Sequence, residues 1–392
     1  MTLPLDGIRV LDLSARMPGP MCAQILADLG AEVVKIESPR APDFFRGLQP
    51  LVGGTGSLFH VCNRNKKGMT LELRHPRGRE VFLRLVRGSD VVVEAFRPGT
   101  MERMKIGYEV LKEAQPGLIY CALTAFGQDG PYRLRPAHDL NLLALAGVLD
   151  LLGVKDGPPI VPPVQMSGLG GALQGAVGIL AALLSRQRDG RGQLIDVSLL
   201  DGVSAFGVLE MSRCMAGHHV PKRGLTEGGG GYACFNVYPT ADGRSLSLGC
   251  LEPHFWENFC RAVGRESLIK EQWASPQRQD EMIAEIRSIL GSRPLEEWLG
   301  IFDPEKICVA PVNTFEEALE DPHIRHSETW FSGELPDGGG RVPQAALPVR
   351  FGEGRPGWRF HPPQLGEHTG EILRQMGLAD AEIDELRALE VI

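Results

Sequence analysis

The chain has 392 residues, enough to bury a large core and to form two domains. Its formal net charge of −8 and pI near 5.8 argue against general binding to nucleic acid or to a membrane surface. The eight cysteines include no C-x-x-C pair, which argues against a metal site or a disulfide framework. The sequence also shows no apolar signal segment and no run of membrane-spanning length, so we expect a cytoplasmic protein.

Strands and helices alternate over the first half of the chain. The predicted strands cover residues 8–13, 31–37, 69–73, 91–94, 118–124 and 194–199, and the predicted helices cover 21–29, 77–86, 138–151, 173–185 and 200–216. Alternation of this kind predicts a doubly wound α/β domain with a parallel sheet.

A glycine-rich stretch, which we predict to be a loop, separates two of these helices. It contains Gly168, Gly170 and Gly171, and it precedes an apolar, small-residue helix predicted from residue 173. Glycines at a helix start allow a ligand to approach the free backbone N–H groups. They also allow a tightly packed helix with no ligand. The sequence leaves both interpretations open.

The second half of the chain has a different composition. Residues 217–231 read as a mobile linker, and residues 232–326 predict a small α+β domain that starts with a hairpin around an Ala-Asp-Gly turn. The tail, residues 327–392, ends in an amphipathic helix that should dock on the large domain. The predicted large domain is therefore 1–216 completed by 327–392.

Positive side chains cluster in or near the loops that follow the predicted strands. Because the carboxyl ends of parallel strands form the usual binding crevice, this pattern favours an anionic, nucleotide-like ligand, with solvated surface charge as the alternative. The residues are Arg16, Lys66, Lys67, Arg74, Arg97 and Arg103.

Motifs along nearly the whole chain resemble those of the class III CoA-transferases, a family that includes the α-methylacyl-CoA racemases. They include L-D-G-I-R-V-L-D-L, F-R-P-G-T-M-E-R-M, H-D-L-N-L-L-A-L-A-G-V, G-R-G-Q-L-I-D-V-S-L-L-D and L-G-E-H-T-G-E-I-L. The resemblance implies a Rossmann-like large domain, a smaller α+β domain and an interlocked dimer. It also implies coenzyme A or acyl-CoA and carboxylic acids as substrates, with no metal. The implied CoA contacts are Arg16, Leu71, Arg74, Phe96, Arg97, Arg103 and Met104.

The resemblance also implies a reaction centre built from His138, an Asp in the glycine-rich stretch, and Glu252. In the racemase branch, His and Asp exchange a proton next to the thioester carbonyl, whereas the transferase branch uses the Asp as a nucleophile. In this chain the Asp position falls on Gly168 or, with a loop one residue longer, on Ser167. Neither residue is acidic, and the sequence shows no base beside Ser167.

The motifs, together with the missing Asp, leave three functions open. The first is a CoA-transferase subunit that acts with a homologous, Asp-bearing partner, as in the benzylsuccinate-type enzymes. The second is a self-dimer of the racemase type with His138 as its base. The third is a non-catalytic acyl-CoA-binding protein.

Overall fold

The computed structural model describes residues 3–217, 220–352 and 354–392. The chain divides into two compact units. The first unit contains Met1–Leu142, Gln165–Val203 and Pro322–Ile392, and the second contains Leu143–Val164 and Ser204–Asp321. His218 and His219 of the predicted linker lie outside the described residues, and the predicted domain boundaries stay a prediction.

The helices and strands have the following bounds. The strands are β1 (Arg9–Asp12), β2 (Glu32–Glu37), β3 (Leu51–Val52), β4 (Thr55–Gly56), β5 (Lys66–Thr70), β6 (Val91–Glu94), β7 (Ile119–Thr124), β8 (Leu194–Ser198), β9 (Phe235–Pro239), β10 (Ser245–Gly249), β11 (Val309–Pro311), β12 (Trp330–Glu334) and β13 (Arg341–Ala345). The α-helices are α1 (Pro18–Asp28), α2 (Ser57–Asn63), α3 (Pro76–Arg87), α4 (Thr100–Arg103), α5 (Tyr108–Ala114), α6 (Asp139–Leu145), α7 (Val148–Leu151), α8 (Met166–Asp189), α9 (Leu199–Phe206), α10 (Val208–Met215), α11 (Pro253–Ala262), α12 (Pro276–Leu290), α13 (Leu295–Ile301), α14 (Phe315–Glu320), α15 (Pro322–His326), α16 (Thr369–Gln375) and α17 (Asp380–Ala388).

A parallel sheet with the strand order β5-β2-β1-β6-β7-β8 organises the first unit. Its central strands β1, β6 and β7 are almost entirely buried because helices cover both faces, which explains their continuous apolar runs. Helices α3, α16 and α17 contribute to the core on one face, and α1 and α8 to the core on the other. The α/β prediction and the docking of the tail helix on the large unit are confirmed.

The order of the strands reverses at β1. The chain builds β2 and β5 on one side of β1 and then returns to place β6 on the other side. In open α/β sheets, a crevice forms at this reversal, beyond the carboxyl ends of the two strands. The loops after β1 and β6 therefore border the expected binding position.

The glycine-rich stretch is helical, so the prediction of a loop there is wrong. Helix α8 starts at Met166 and includes all three glycines. A Cβ atom on Gly171 would lie 2.0 Å from a methyl carbon of Leu199, and one on Gly175 would lie 3.0 Å from the Cys22 sulfur. These two glycines allow the close packing of α8 that the second interpretation described.

Other glycines divide helices that were predicted to be continuous. The segment predicted as one helix over residues 138–151 breaks into α6 and α7 at Gly147, whose φ of 75° suits glycine. Gly207 likewise separates α9 from α10. A helical hydrophobic pattern continues across both breaks, which is why periodicity alone did not reveal them.

Helix α8 is, among the described residues, the one helix that is long and apolar enough to cross a membrane by length and composition. However, 56% of its most apolar window is buried inside the structure. A buried core helix passes the same test, and α8 contributes to the core of the first unit.

The second unit contains the antiparallel sheet β11-β10-β9. Strands β9 and β10 form the predicted hairpin. Helices α11, α12 and α13 pack around a separate core, in which Trp256, Trp298 and Tyr238 are the largest side chains. This unit therefore combines an antiparallel sheet with helices, and the predicted small domain stays a prediction.

Candidate functional site

Exposed arginines follow the carboxyl ends of the parallel strands. Arg16 follows β1, Arg74 follows β5 and Arg97 follows β6, and all three are exposed. Arg103 is also exposed, at the end of α4, and donates a hydrogen bond to the Thr100 hydroxyl at 2.8 Å. The structure thus places the four predicted arginines on the first unit, with Arg16 and Arg97 beside the strand reversal.

The predicted apolar contacts are less accessible. Leu71 is 1% exposed and belongs to the core, so its side chain does not face a ligand. Phe96 and Met104 are partly buried and pack against the same core. Any contact of Leu71 with a ligand would therefore be made by its backbone atoms.

Two lysines of the predicted positive cluster already have partners. Lys66 is fully buried, and its Nζ lies 2.8 Å from a carboxylate oxygen of Asp12. Lys67 pairs with Glu371 at 3.0 Å. Strand β5 begins at Lys66, three residues earlier than predicted, and this register turns the Lys66 side chain inward. The prediction that Lys66 faces a ligand is wrong.

A buried ionic network holds the loop after β1. Arg16 has a left-handed backbone with φ of 70°, and its N–H donates to Asp43 Oδ1 at 3.1 Å. Asp43 also lies 3.2 Å from Lys35, whose Nζ donates to the carbonyl oxygen of Ser14. Burial opposes the charge on Lys35, but the Asp12 and Asp43 carboxylates outweigh it and raise its pKa. The network therefore fixes an otherwise unfavourable conformation that presents Arg16 to solvent.

A cavity of about 170 Å³ lies beside Arg97. Its lining includes Glu94, Glu102 and Tyr120. Glu94 accepts hydrogen bonds from the Phe96 N–H at 2.6 Å and from the Tyr120 hydroxyl at 3.2 Å. Burial outweighs these two hydrogen bonds and raises the pKa of Glu94 to about 7.

A side-chain pair lies where the reaction centre was expected. His138 is exposed just before α6, and its backbone N–H donates to the Asn141 side chain. The Ser167 hydroxyl donates to Asp139 Oδ1 at 2.5 Å, and the Ser167 N–H donates to the same oxygen at 2.6 Å. The sequence places no base beside Ser167, but the fold brings Asp139, which lies 28 residues away in sequence, into hydrogen-bonding contact with it.

Position 168 faces the loop that carries Arg16. A Cβ atom on Gly168 would lie 3.4 Å from the Met17 sulfur, which is an ordinary contact. Neither position 167 nor position 168 supplies a carboxylate. The fold instead brings the carboxylate of Asp139 next to Ser167. The only sequence signal for it is its position directly after His138.

Glu252 belongs to the second unit. It is exposed and occupies the N-cap position of α11, where its side chain makes no capping hydrogen bond. Across the described ranges, no three His, Cys, Asp or Glu side chains form a group that could hold a metal ion.

Comparisons with known proteins cover the chain almost completely. The family model described as CoA-transferase family III matches residues 5–369. The human alpha-methylacyl-CoA racemase is 34% identical, covering 100% of this chain and 98% of the relative. The succinyl-CoA–L-malate CoA-transferase beta subunit of Chloroflexus aurantiacus is 31% identical, with the same coverage. The crystal structure of a CAIB/BAIF family protein from Brucella suis is 29% identical, has a TM-score of 0.84, and covers 96% of this chain and 100% of that chain.

Proposed function

Because this chain belongs to CoA-transferase family III, we propose that it binds CoA thioesters and removes the proton next to the thioester carbonyl, with His138 as the base. The exposed Arg16, Arg74, Arg97 and Arg103 would bind the phosphates of CoA. A cytoplasmic location is part of the proposal, and no nucleic acid is required.

One observation favours proton removal over CoA transfer. Transfer through a mixed anhydride requires a carboxylate nucleophile, and positions 167 and 168 hold a serine and a glycine. Proton abstraction requires only a base within reach of the substrate carbon, and His138 is an exposed imidazole in this chain. The serine and glycine therefore favour a racemase-type reaction over CoA transfer through a mixed anhydride in this proposal.

The test is hydrogen exchange into a 2-methyl-branched acyl-CoA in heavy water. We expect deuterium at the carbon next to the carbonyl, and a loss of about 100-fold or more in the exchange rate for His138→Gln. Binding of the thioester should remain near the wild-type affinity in this variant. A wild-type protein that binds the thioester without exchange would refute the proposal and would favour a non-catalytic acyl-CoA-binding protein.

A second candidate is a CoA-transferase subunit with a homologous, Asp-bearing partner. It is supported by the missing carboxylate and by the name of the Chloroflexus relative, which describes that protein as a beta subunit. Under this candidate, the purified chain transfers no CoA until the partner is added. Transfer by Gly168→Asp alone would show that the site lacks only its acid, since the space beside Met17 admits a side chain.

An interlocked dimer is proposed for either candidate. Helix α8 exposes Leu173, Val177 and Leu184, which are 55%, 65% and 65% exposed. A row of exposed apolar residues on a long helix favours a subunit contact. In this arrangement Glu252 would serve the site of the neighbouring chain. A monomer in light scattering at assay concentration would refute the dimer.

A further inference from the structure

The Ser167–Asp139 pair buries the serine hydroxyl but leaves part of the aspartate carboxylate exposed. Ser167 is 1% exposed, so its hydroxyl is buried against Asp139. Asp139 is only partly buried. Both hydrogen bonds from Ser167 end on Oδ1, and within the described residues no hydrogen bond ends on Oδ2. The pair therefore fixes the carboxylate through one oxygen and leaves the other available.

Exposure also decides which member of the pair can react. A buried hydroxyl cannot approach a thioester carbon without movement of the helix, so Ser167 is not a nucleophile in this arrangement. Asp139 has an accessible oxygen and follows the proposed base, His138, directly in sequence. The reactive member is therefore Asp139, and Ser167 holds it in position.

We propose that Asp139, positioned by Ser167, is the second acid–base group of this site, in place of the carboxylate missing from positions 167 and 168. This inference rests on the proposed function. The substrate class is an acyl-CoA with a hydrogen on the carbon next to the carbonyl.

The step balances without a further reactant. His138 takes the proton from that carbon, and the electron pair of the broken C–H bond moves to give an enolate on the thioester oxygen. Protonated Asp139 then returns a proton to the same carbon. A new C–H bond forms, the thioester carbonyl is restored, and solvent exchanges the protons on both side chains.

The decisive variant is Asp139→Asn. Its amide oxygen still accepts the two hydrogen bonds from Ser167, so the cap on α8 is retained while the acid is lost. We expect interconversion of the 2R and 2S thioesters to fall by about 100-fold or more at saturating acyl-CoA, because His138 alone can remove and return a proton on one face only, with thioester affinity and thermal stability close to wild type. A matched control is Asp156→Asn, an exposed aspartate in the second unit with φ of 60°, which Asn tolerates. This variant should interconvert the two thioesters at the wild-type rate.

The role of Ser167 is tested separately. Ser167→Ala removes the hydroxyl donor and keeps the backbone donor, so we expect kcat for interconversion of the 2R and 2S thioesters to fall about 10-fold while KM stays unchanged. Ser167→Thr retains the hydroxyl and should recover most of kcat. A merely structural serine would lower stability without this split between kcat and KM.

The outcomes separate the two proposals. Exchange by the wild type together with undiminished interconversion of the 2R and 2S thioesters by Asp139→Asn would overturn the role of Asp139 and leave the proposed function standing. A wild type that binds acyl-CoA without exchange would overturn both. Loss of interconversion in Asp139→Asn with unchanged binding would support both.

Discussion

The raised pKa of the buried Glu94 carboxyl predicts how the free energy of unfolding depends on pH. Its pKa rises from an ordinary value of 4.5 to about 7 because burial disfavours the charged form. A difference of about 2.5 pKa units corresponds to about 3 kcal/mol. Since the folded pKa exceeds the unfolded pKa, this stabilising contribution is complete below about pH 4.5 and is lost as the pH rises through about 7.

Glu94→Gln isolates this effect, because the amide oxygen can still accept the hydrogen bond from the Phe96 N–H, and the amide NH2 group can donate to the Tyr120 hydroxyl oxygen. We expect the free energy of unfolding of the variant, relative to wild type, to increase by about 2–3 kcal/mol between about pH 5 and about pH 8. Urea unfolding at a series of pH values measures this difference. A flat difference for Glu94→Gln would refute the reasoning.

Two further substitutions test the packing beneath the site, each with a matched control measured by urea unfolding. Lys66→Met leaves Asp12 buried without its partner and should cost about 3–5 kcal/mol, whereas Lys67→Met removes a partly exposed pair and should cost about 1 kcal/mol or less. Equal costs would contradict the assignment of Lys66 to the buried network. Gly171→Ala forces a Cβ atom against a leucine methyl group and should cost about 1–3 kcal/mol, whereas Gly168→Ala makes only an ordinary contact and should be close to neutral. A tolerated Gly171→Ala would show that α8 is not closely packed at this point.

Much of the fold could be predicted from the sequence because local patterns determine it. Strands such as β6 and β7 are short apolar runs between helical segments, so their alternation predicts a parallel sheet. The start of α8 could not be predicted in this way. Three glycines within four residues favour a loop by local propensity, and only contacts with residues distant in sequence make them helical.

The position of each charge was harder to predict than its presence. Lys66 and Lys67 are neighbours, yet one is buried against Asp12 and the other is partly exposed beside Glu371. Successive side chains of a strand point to opposite faces, so the register of β5 determines which lysine is buried. A register shift of one residue would exchange their roles, and the sequence alone does not fix that register.

The same distinction applies to the acid at the candidate site. A sequence motif specifies residue types at fixed positions. Serine in place of the expected aspartate at position 167 therefore indicates the loss of a catalytic acid. Chemistry depends instead on which group occupies a place in space, and the hydroxyl of Ser167 holds a carboxylate from elsewhere in the chain. Anhydride formation requires that the carboxylate attack the carbonyl carbon, whereas proton return requires only an oxygen near the neighbouring carbon. A displaced acid therefore meets the second requirement more readily than the first, which is why we propose proton exchange rather than CoA transfer for this chain.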